Sequence, residues 1–129
     1  MHILTPVSPG ELIDKITILE IKRTEISDAA KLVNVQNEYD VLEQILLQNV
    51  PVSDELQKLK EELRTVNKKI WDSENDIRAH WNEDMEFLAA SRQSHFYNDE
   101  RARLKRAIND VLGSTIIEEK SHPTYEHKI

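Results

Sequence analysis

Four charged residues fall inside the apolar stripes of the predicted helices, one on each helix, and a binding site would depend on them. They are Arg23, Glu43, Glu74 and Arg101. An unpaired buried charge is very costly, whereas a paired and hydrogen-bonded charge is tolerable. We therefore expect these two acids and two bases to meet in complementary pairs or to face a wet cavity. Glu74 is predicted to lie deepest, across the bundle from Arg101 or Arg23.

Polar groups on the shoulders of the same stripes extend this candidate site. Trp71 shares one longitudinal line with Glu74, and Glu20 lies beside the first stripe. The predicted binding set comprises Arg23, Glu43, Asn67, Trp71, Glu74, Arg78, Asn98, Arg101 and Lys105. Three interpretations stay open: a buried polar layer that fixes helix register, a pocket in which the cations hold a small anionic ligand, or charges that simply face solvent.

Other chemistries have little support in the sequence, so no catalytic residue is assigned. Within the predicted helices no Glu is followed three residues later by His, and the one such pair in the sequence, Glu119 with His122, lies in the tail, which disfavours a di-iron bundle. Carboxylates at helical spacing occur at Glu11 with Asp14 and at Asp40 with Glu43, a weak magnesium signal. We expect Glu11 and Asp14 to point away from the main stripe, with Glu11 capping the first helix. We predict no metal site and no cofactor.

Composition narrows the classes of protein and partner. The chain has 129 residues, 32% charged, with two Gly, four Pro and no Cys, and a formal net charge of −7. This balance is typical of long amphipathic helices, and the acidic charge disfavours nucleic acid and anionic membrane as partners. No apolar run approaches the roughly 20 residues that span a bilayer. We expect a cytoplasmic protein.

Helix signals divide the chain into four segments within a single domain, residues 1–129. Ser8 followed by Pro9 predicts the first helix start, Ser27 or Asp28 the second, and Ser53 or Asp54 the third. Gly113 is expected just past the last helix. The fold class is all-α: an antiparallel four-helix bundle of two shorter and two long helices with an extended C-terminal tail. The predicted helices span about 9–26, 29–48, 54–81 and 85–112, and the tail spans 114–129.

The first helix carries apolar residues on two sides. Leu12, Ile16 and Leu19 form one stripe, and Ile18 and Ile21 lie nearly opposite at about 100° per residue. The second face favours a homo-oligomer, with a dimer as the preferred state.

Three ordered segments carry a resemblance to a known family. SPGELIDKITILEIK at 8–22, NKKIWDSENDIR at 67–78 and NDERARLKRAIND at 98–110 resemble a family of small uncharacterised all-helical proteins from bacteria and their phages. The chain is also distantly similar to the all-α nucleotide pyrophosphohydrolases, in which carboxylates hold magnesium against nucleotide phosphates. That similarity implies acidic roles for Glu74 and for Glu43 or Asp40, with Asn98, Arg101 and Lys105 near phosphate.

The residues and the resemblance support two functional hypotheses. The first is a non-catalytic binding or assembly protein with a buried Glu/Arg polar layer. The alternative is a magnesium-dependent small enzyme that acts on a nucleotide or a phosphorylated sugar metabolite.

Overall fold

The computed structural model describes residues 1–123 and shows an all-α bundle. The helices are α1 (Pro9–Glu25), α2 (Ala29–Asn49), α3 (Asp54–Ala79) and α4 (Asp84–Val111). The predicted fold class is confirmed, and the helix ends agree with the sequence analysis to within about two residues. No strand occurs in the described chain, so the segment after α4 is extended without pairing to the N-terminus. In residues 1–123, no helix has the length and apolar character to span a bilayer.

Side-chain caps account for where the first three helices begin. The Ser8 hydroxyl accepts a hydrogen bond from the Glu11 backbone N–H at 3.1 Å. Asp28 accepts from the backbone N–H groups of residues 30 and 31, and Ser53 accepts from that of Leu56. Each cap satisfies a backbone donor that the first helical turn leaves without a partner. Gly113 follows the end of α4 with φ +63°, a conformation that other residues adopt only with strain.

The helix α1 lies at the centre of the bundle. It packs against α2 on one side and against both α3 and α4 on the other, whereas the backbone of α2 comes close to α1 alone among the four helices. Ile21 on the second apolar face is 5% exposed, and it lines a groove with Thr65 of α3. The second face of α1 is thus used inside the chain, and it no longer supplies a reason for self-association.

The main core fills the space between α1, α3 and α4. Leu46 of α2 and Leu59 of α3 pack at its edge. The core itself is formed by five buried aliphatic side chains: Ile13, Leu56, Leu63, Leu104 and Ile108. On α2 only Val35 is buried, in agreement with a single stripe that faces α1. The core positions the polar side chains described below, because they lie on the same faces of α1, α3 and α4.

The two long helices α3 and α4 form an antiparallel hairpin that extends past α1. The hydrogen bonds and ion pairs from α1 end at Lys68 on α3 and at Arg101 on α4. We call residues 72–96 the hairpin arm. Within the arm the two helices approach through small buried residues, Ser73, Ala90 and Ser94, and the rings of Trp81 and Phe87 meet edge-on at 5.3 Å near its end.

Candidate functional site

The most deeply buried charge in the described chain is Asp14, in the first half of α1. Its residue exposure is 0%, and Ile13 beside it belongs to the core. Arg101 of α4 donates to it through two guanidinium nitrogens, Nε at 2.9 Å and Nη2 at 2.5 Å. This two-pronged geometry is the strongest form of an ion pair between side chains.

Asn67 of α3 completes the contacts of Asp14. Its amide nitrogen donates to the Asp14 carboxylate at 2.9 Å and to the Thr17 hydroxyl at 2.9 Å. The Thr17 hydroxyl in turn donates to the backbone carbonyl of Asp14 at 2.7 Å. We call Asp14, Thr17, Asn67 and Arg101 the Asp14 network. It joins three helices, and both oxygens of its carboxylate accept hydrogen bonds.

A second set of charges borders the network one turn further along α4. The Lys105 ammonium donates to Glu11 of α1 at 2.7 Å and to Glu118 after α4 at 2.9 Å. We call these three residues the Lys105 rim. Nearby, the Asn109 side-chain oxygen accepts from the Gly10 backbone N–H at 2.7 Å. A Cβ at Gly10 would lie 2.5 Å from the carbonyl oxygen of Lys105, so only glycine permits this approach of α1 to α4.

The electrostatics of these residues follow from their partners. The hydrogen bond to Asp14 raises the pKa of Arg101 in spite of its partial burial. Burial by itself would lower the pKa of Lys105, but the hydrogen bonds to Glu11 and Glu118 outweigh it and the pKa is raised. The bond from Lys105 lowers the pKa of Glu118 below its ordinary value. All three groups therefore stay charged at neutral pH.

Three of the residues predicted from sequence come together here, namely Asn67, Arg101 and Lys105. Glu74 does not join them, because it lies in the hairpin arm beyond the reach of α1. It pairs instead with Arg78 of its own helix at 3.1 Å, and the two side chains are 45% and 72% exposed. The prediction that Glu74 meets Arg101 or Arg23 across the bundle is wrong.

The other predicted residues are dispersed. Arg23 is exposed, and its guanidinium stacks over the Tyr39 ring at 4.4 Å, between α1 and α2. Glu43 lies on α2, and its Oε2 is buried without a hydrogen-bond partner among the described residues. Trp71 is partly buried on α3. Asn98 donates to the Ser94 backbone carbonyl at 2.9 Å, within α4. These four residues do not share a site with Arg101.

Asp14 does point away from the stripe of Leu12, Ile16 and Leu19, but its side of α1 is buried against α3 and α4, which was not predicted from the sequence. The expectation treated α1 as having one principal buried face, and the structure covers α1 from two sides. A signal was present: Gly10, Asp14 and Thr17 are spaced by four and three residues, which places them in one row on the helix. A row of small and polar side chains is suited to close helix contact with hydrogen bonding across it.

A groove of about 550 Å³ lies between the second half of α1 and α3. Its walls carry Ile21 and the cations Arg64, Lys68 and Lys69. Glu20 already pairs with Arg64 at 2.9 Å and with Lys60 at 3.2 Å. Lys68 is held in the same way by Glu25 and Asp72. These ion pairs attach α1 to α3, and the groove offers few free charges to a ligand.

The Asp14 carboxylate is fully occupied by its hydrogen-bond partners. A general acid or base needs a carboxylate that can reach substrate, and the oxygens of Asp14 are taken by Arg101 and Asn67. Within residues 1–123, no three acidic or histidine side chains are grouped so as to share a metal ion.

Comparison with protein families gives one match, which covers residues 3–127. The chain belongs to the family of unknown function DUF6165. The DUF6165 match spans α1, α3 and α4, and so includes every member of the Asp14 network and of the Lys105 rim. No curated protein and no solved structure matches the chain.

Proposed function

We propose that this chain is a non-catalytic assembly protein whose hairpin arm packs against the arm of a second copy. The observation that carries the proposal is the apolar surface of the arm. Trp81 is 66% exposed, Met85 81%, Leu88 50% and Phe96 39%. Large apolar side chains concentrated in this way on a short arm are more than the scattered exposure normal for a monomer.

Three of these side chains form a stripe on α4. Met85, Leu88 and Phe96 follow one another at intervals of three and eight residues, which keeps them within about 80° of arc on a helix with 100° per residue. Ala90 and Ser94, which pack against α3, lie on the opposite side of α4. The stripe thus faces away from the rest of the chain, and we call it the α4 stripe.

A second copy suits this stripe better than another kind of partner, because the arm is a pair of helices without a third helix to cover it. Two arms packed antiparallel about an axis near Leu88 would form a four-helix arrangement. In that register Met85 of each copy lies next to the central pair of Leu88 side chains. Arg92 of one copy lies at the level of Asp84 of the other, where their opposite charges can pair. Apolar and charged residues are therefore both complementary under one symmetry operation.

The Asp14 network supports the non-catalytic part of the proposal, since it ties three helices together and leaves no carboxylate oxygen free. The magnesium-dependent alternative, by similarity to the all-α nucleotide pyrophosphohydrolases, needs Glu74 together with Glu43 or Asp40. Glu74 lies on α3, whereas Glu43 and Asp40 lie on α2, whose backbone comes close to α1 alone among the described helices. We therefore favour assembly.

The test is the mass of the protein in solution, measured by sedimentation velocity. We expect the wild type to be dimeric at about 100 µM, well above the micromolar Kd of a weak interface. Leu88→Glu should give a monomer with unchanged circular dichroism, because the side chain is already half exposed. Leu47→Glu on α2, where Leu47 is 68% exposed, is the matched control and should stay dimeric.

Two outcomes would contradict the proposal. One is a monomeric wild type at this concentration, and the other is a dimer that Leu88→Glu leaves intact. A dimer that only Leu47→Glu dissociates would place the interface on α2 instead.

A further inference from the structure

The segment after α4 returns along that helix and places carboxylates on its cations. Residues 115–123 are exposed and contain neither helix nor strand. Glu118 accepts from the Lys105 ammonium at 2.9 Å, and Glu119 lies 3.5 Å from the Arg106 guanidinium. We call residues 114–123 the strap.

Few other contacts hold the strap to the helix. Ile116 and Ile117 remain 44% and 45% exposed, so they contribute little apolar burial. The Ser114 hydroxyl bonds only within the strap, to residue 116. Glu118 itself is about half exposed, and ion pairs of this kind contribute little to stability. The strap can therefore leave the helix at small cost.

The cation beneath Glu118 is of a different kind, because it is held in place. Lys105 is only 9% exposed, and its ammonium is fixed from the other side by Glu11 of α1 at 2.7 Å. If Glu118 leaves, this buried ammonium loses one of its two carboxylates. A buried ammonium with one N–H donor left without an acceptor binds an anion strongly.

Arg101 lies one helical turn before Lys105, on the same face of α4. Its Nε and Nη2 are held by Asp14, while its side chain is still 30% exposed. The positive charges of Lys105, Lys120 and Arg101 all act on the Glu118 carboxylate and lower its pKa. The position that this carboxylate occupies is thus favourable for an anion from several directions.

We infer that Lys105, with the charge of Arg101 one helical turn away, forms an exchangeable oxyanion site, which Glu118 closes from within and which a small carboxylate or phosphate ligand opens by replacing Glu118. The charges around the position set a limit on the ligand. The positive charges of Arg101 and Lys105 are already neutralised by the carboxylates of Asp14 and Glu11. The site therefore takes an oxyanion of low charge, which replaces the singly charged Glu118 carboxylate. This site is remote from the α4 stripe and does not depend on the proposed assembly.

The experiment is a titration of the full-length protein followed by backbone amide NMR shifts, with inorganic phosphate in one series and acetate in another. Glu118→Gln removes the carboxylate that competes with the added anion for Lys105. We expect this variant to bind the anion about fivefold more tightly than the wild type, because molecules with Glu118 on Lys105 no longer reduce the apparent affinity. Glu119→Gln, which changes the neighbouring carboxylate, is the matched control and should bind like the wild type. Lys105→Met should abolish the binding of both phosphate and acetate.

The tighter of the two anions identifies the ligand class, phosphate or carboxylate. Equal affinity of Glu118→Gln and wild type, or an absence of binding in both, would overturn the inference. Binding that survives in a folded Lys105→Met protein would do the same. If that variant does not fold, the comparison of Glu118→Gln with Glu119→Gln still decides, because both positions lie in the exposed strap.

Discussion

Removal of either partner of the Asp14–Arg101 pair should destabilise the protein, but by different amounts. Asp14 is wholly buried, whereas the Arg101 side chain is 30% exposed. In Arg101→Met the Asp14 carboxylate cannot reach water and keeps only the bond from Asn67. In Asp14→Asn the guanidinium can turn toward solvent. We therefore expect Arg101→Met to be the more harmful substitution.

The structure sets the magnitudes. Breaking a buried ion pair by removal of one partner costs about 3–5 kcal/mol, and a hydrogen bond to a charged group contributes about 1.5–3 kcal/mol. Arg101→Met removes two such bonds and leaves a buried charge, so we expect a loss of about 4 kcal/mol in the free energy of unfolding. Asp14→Asn keeps the volume and lets Arg101 relax, so we expect about 2–3 kcal/mol. The double variant contains no stranded charge and should lose less than the sum, by about 2 kcal/mol.

The assay is urea unfolding at neutral pH, followed by far-ultraviolet circular dichroism for wild type, both single variants and the double variant. Arg78→Met is the control, since its pair with Glu74 is exposed and its loss should cost less than about 0.5 kcal/mol. The reasoning is refuted if Asp14→Asn is the more harmful single change, or if the double variant loses as much as the two singles together.

Three further predictions concern other parts of the chain. Glu43→Met should raise the free energy of unfolding by about 1 kcal/mol in the same urea assay, because it removes a buried carboxylate oxygen that has no partner in the described chain. Gly10→Ala should cost about 2–3 kcal/mol, because the new Cβ would press on backbone of α4, whereas Gly113→Ala should cost about 1 kcal/mol through its positive φ alone. The contact between Glu118 and Lys105 should weaken with acid: the pKa of Glu118 is lowered in the folded state, so its contribution is present above its ordinary value of 4.5 and is lost as pH falls through the lowered value. NMR shifts of the strap amides should report this loss below pH 4.5, and shifts that do not change there would count against the bond.

Local sequence signals were sufficient for the secondary structure. Ser8, Asp28 and Ser53 each have a side chain that binds the first-turn backbone, so the starts of three helices depend on neighbouring residues alone. These features need no knowledge of which helix lies beside which.

The candidate site depends on which helices lie side by side, and the sequence predicted it only in part. Glu74 follows the periodic stripe of α3, but burial of that stripe requires a covering helix, and α1 ends its contacts before the hairpin arm begins. Asp14 lies off the stripe that faces α2, yet it is buried because α3 and α4 cover the other side of α1. The order and crossing angles of the helices decide whether Glu74 and Asp14 are buried. The periodicity of apolar residues carries no information about either. Asn67, Arg101 and Lys105 come together because each lies on a face that α1 covers, although their partners are Asp14 and Glu11 and not Glu74.

The position of α2 has a consequence for the order in which the molecule opens. α2 has one buried residue, Val35, and reaches the core only at its edge, through Leu46. The residues Ile13, Leu63, Leu104 and Ile108 of that core belong to the other three helices. Cooperative units with little burial exchange their amide hydrogens through local opening at low free energy. The amides of α2 should thus exchange as a group well before those of α1, α3 and α4, and the other three helices should stay folded when α2 is released.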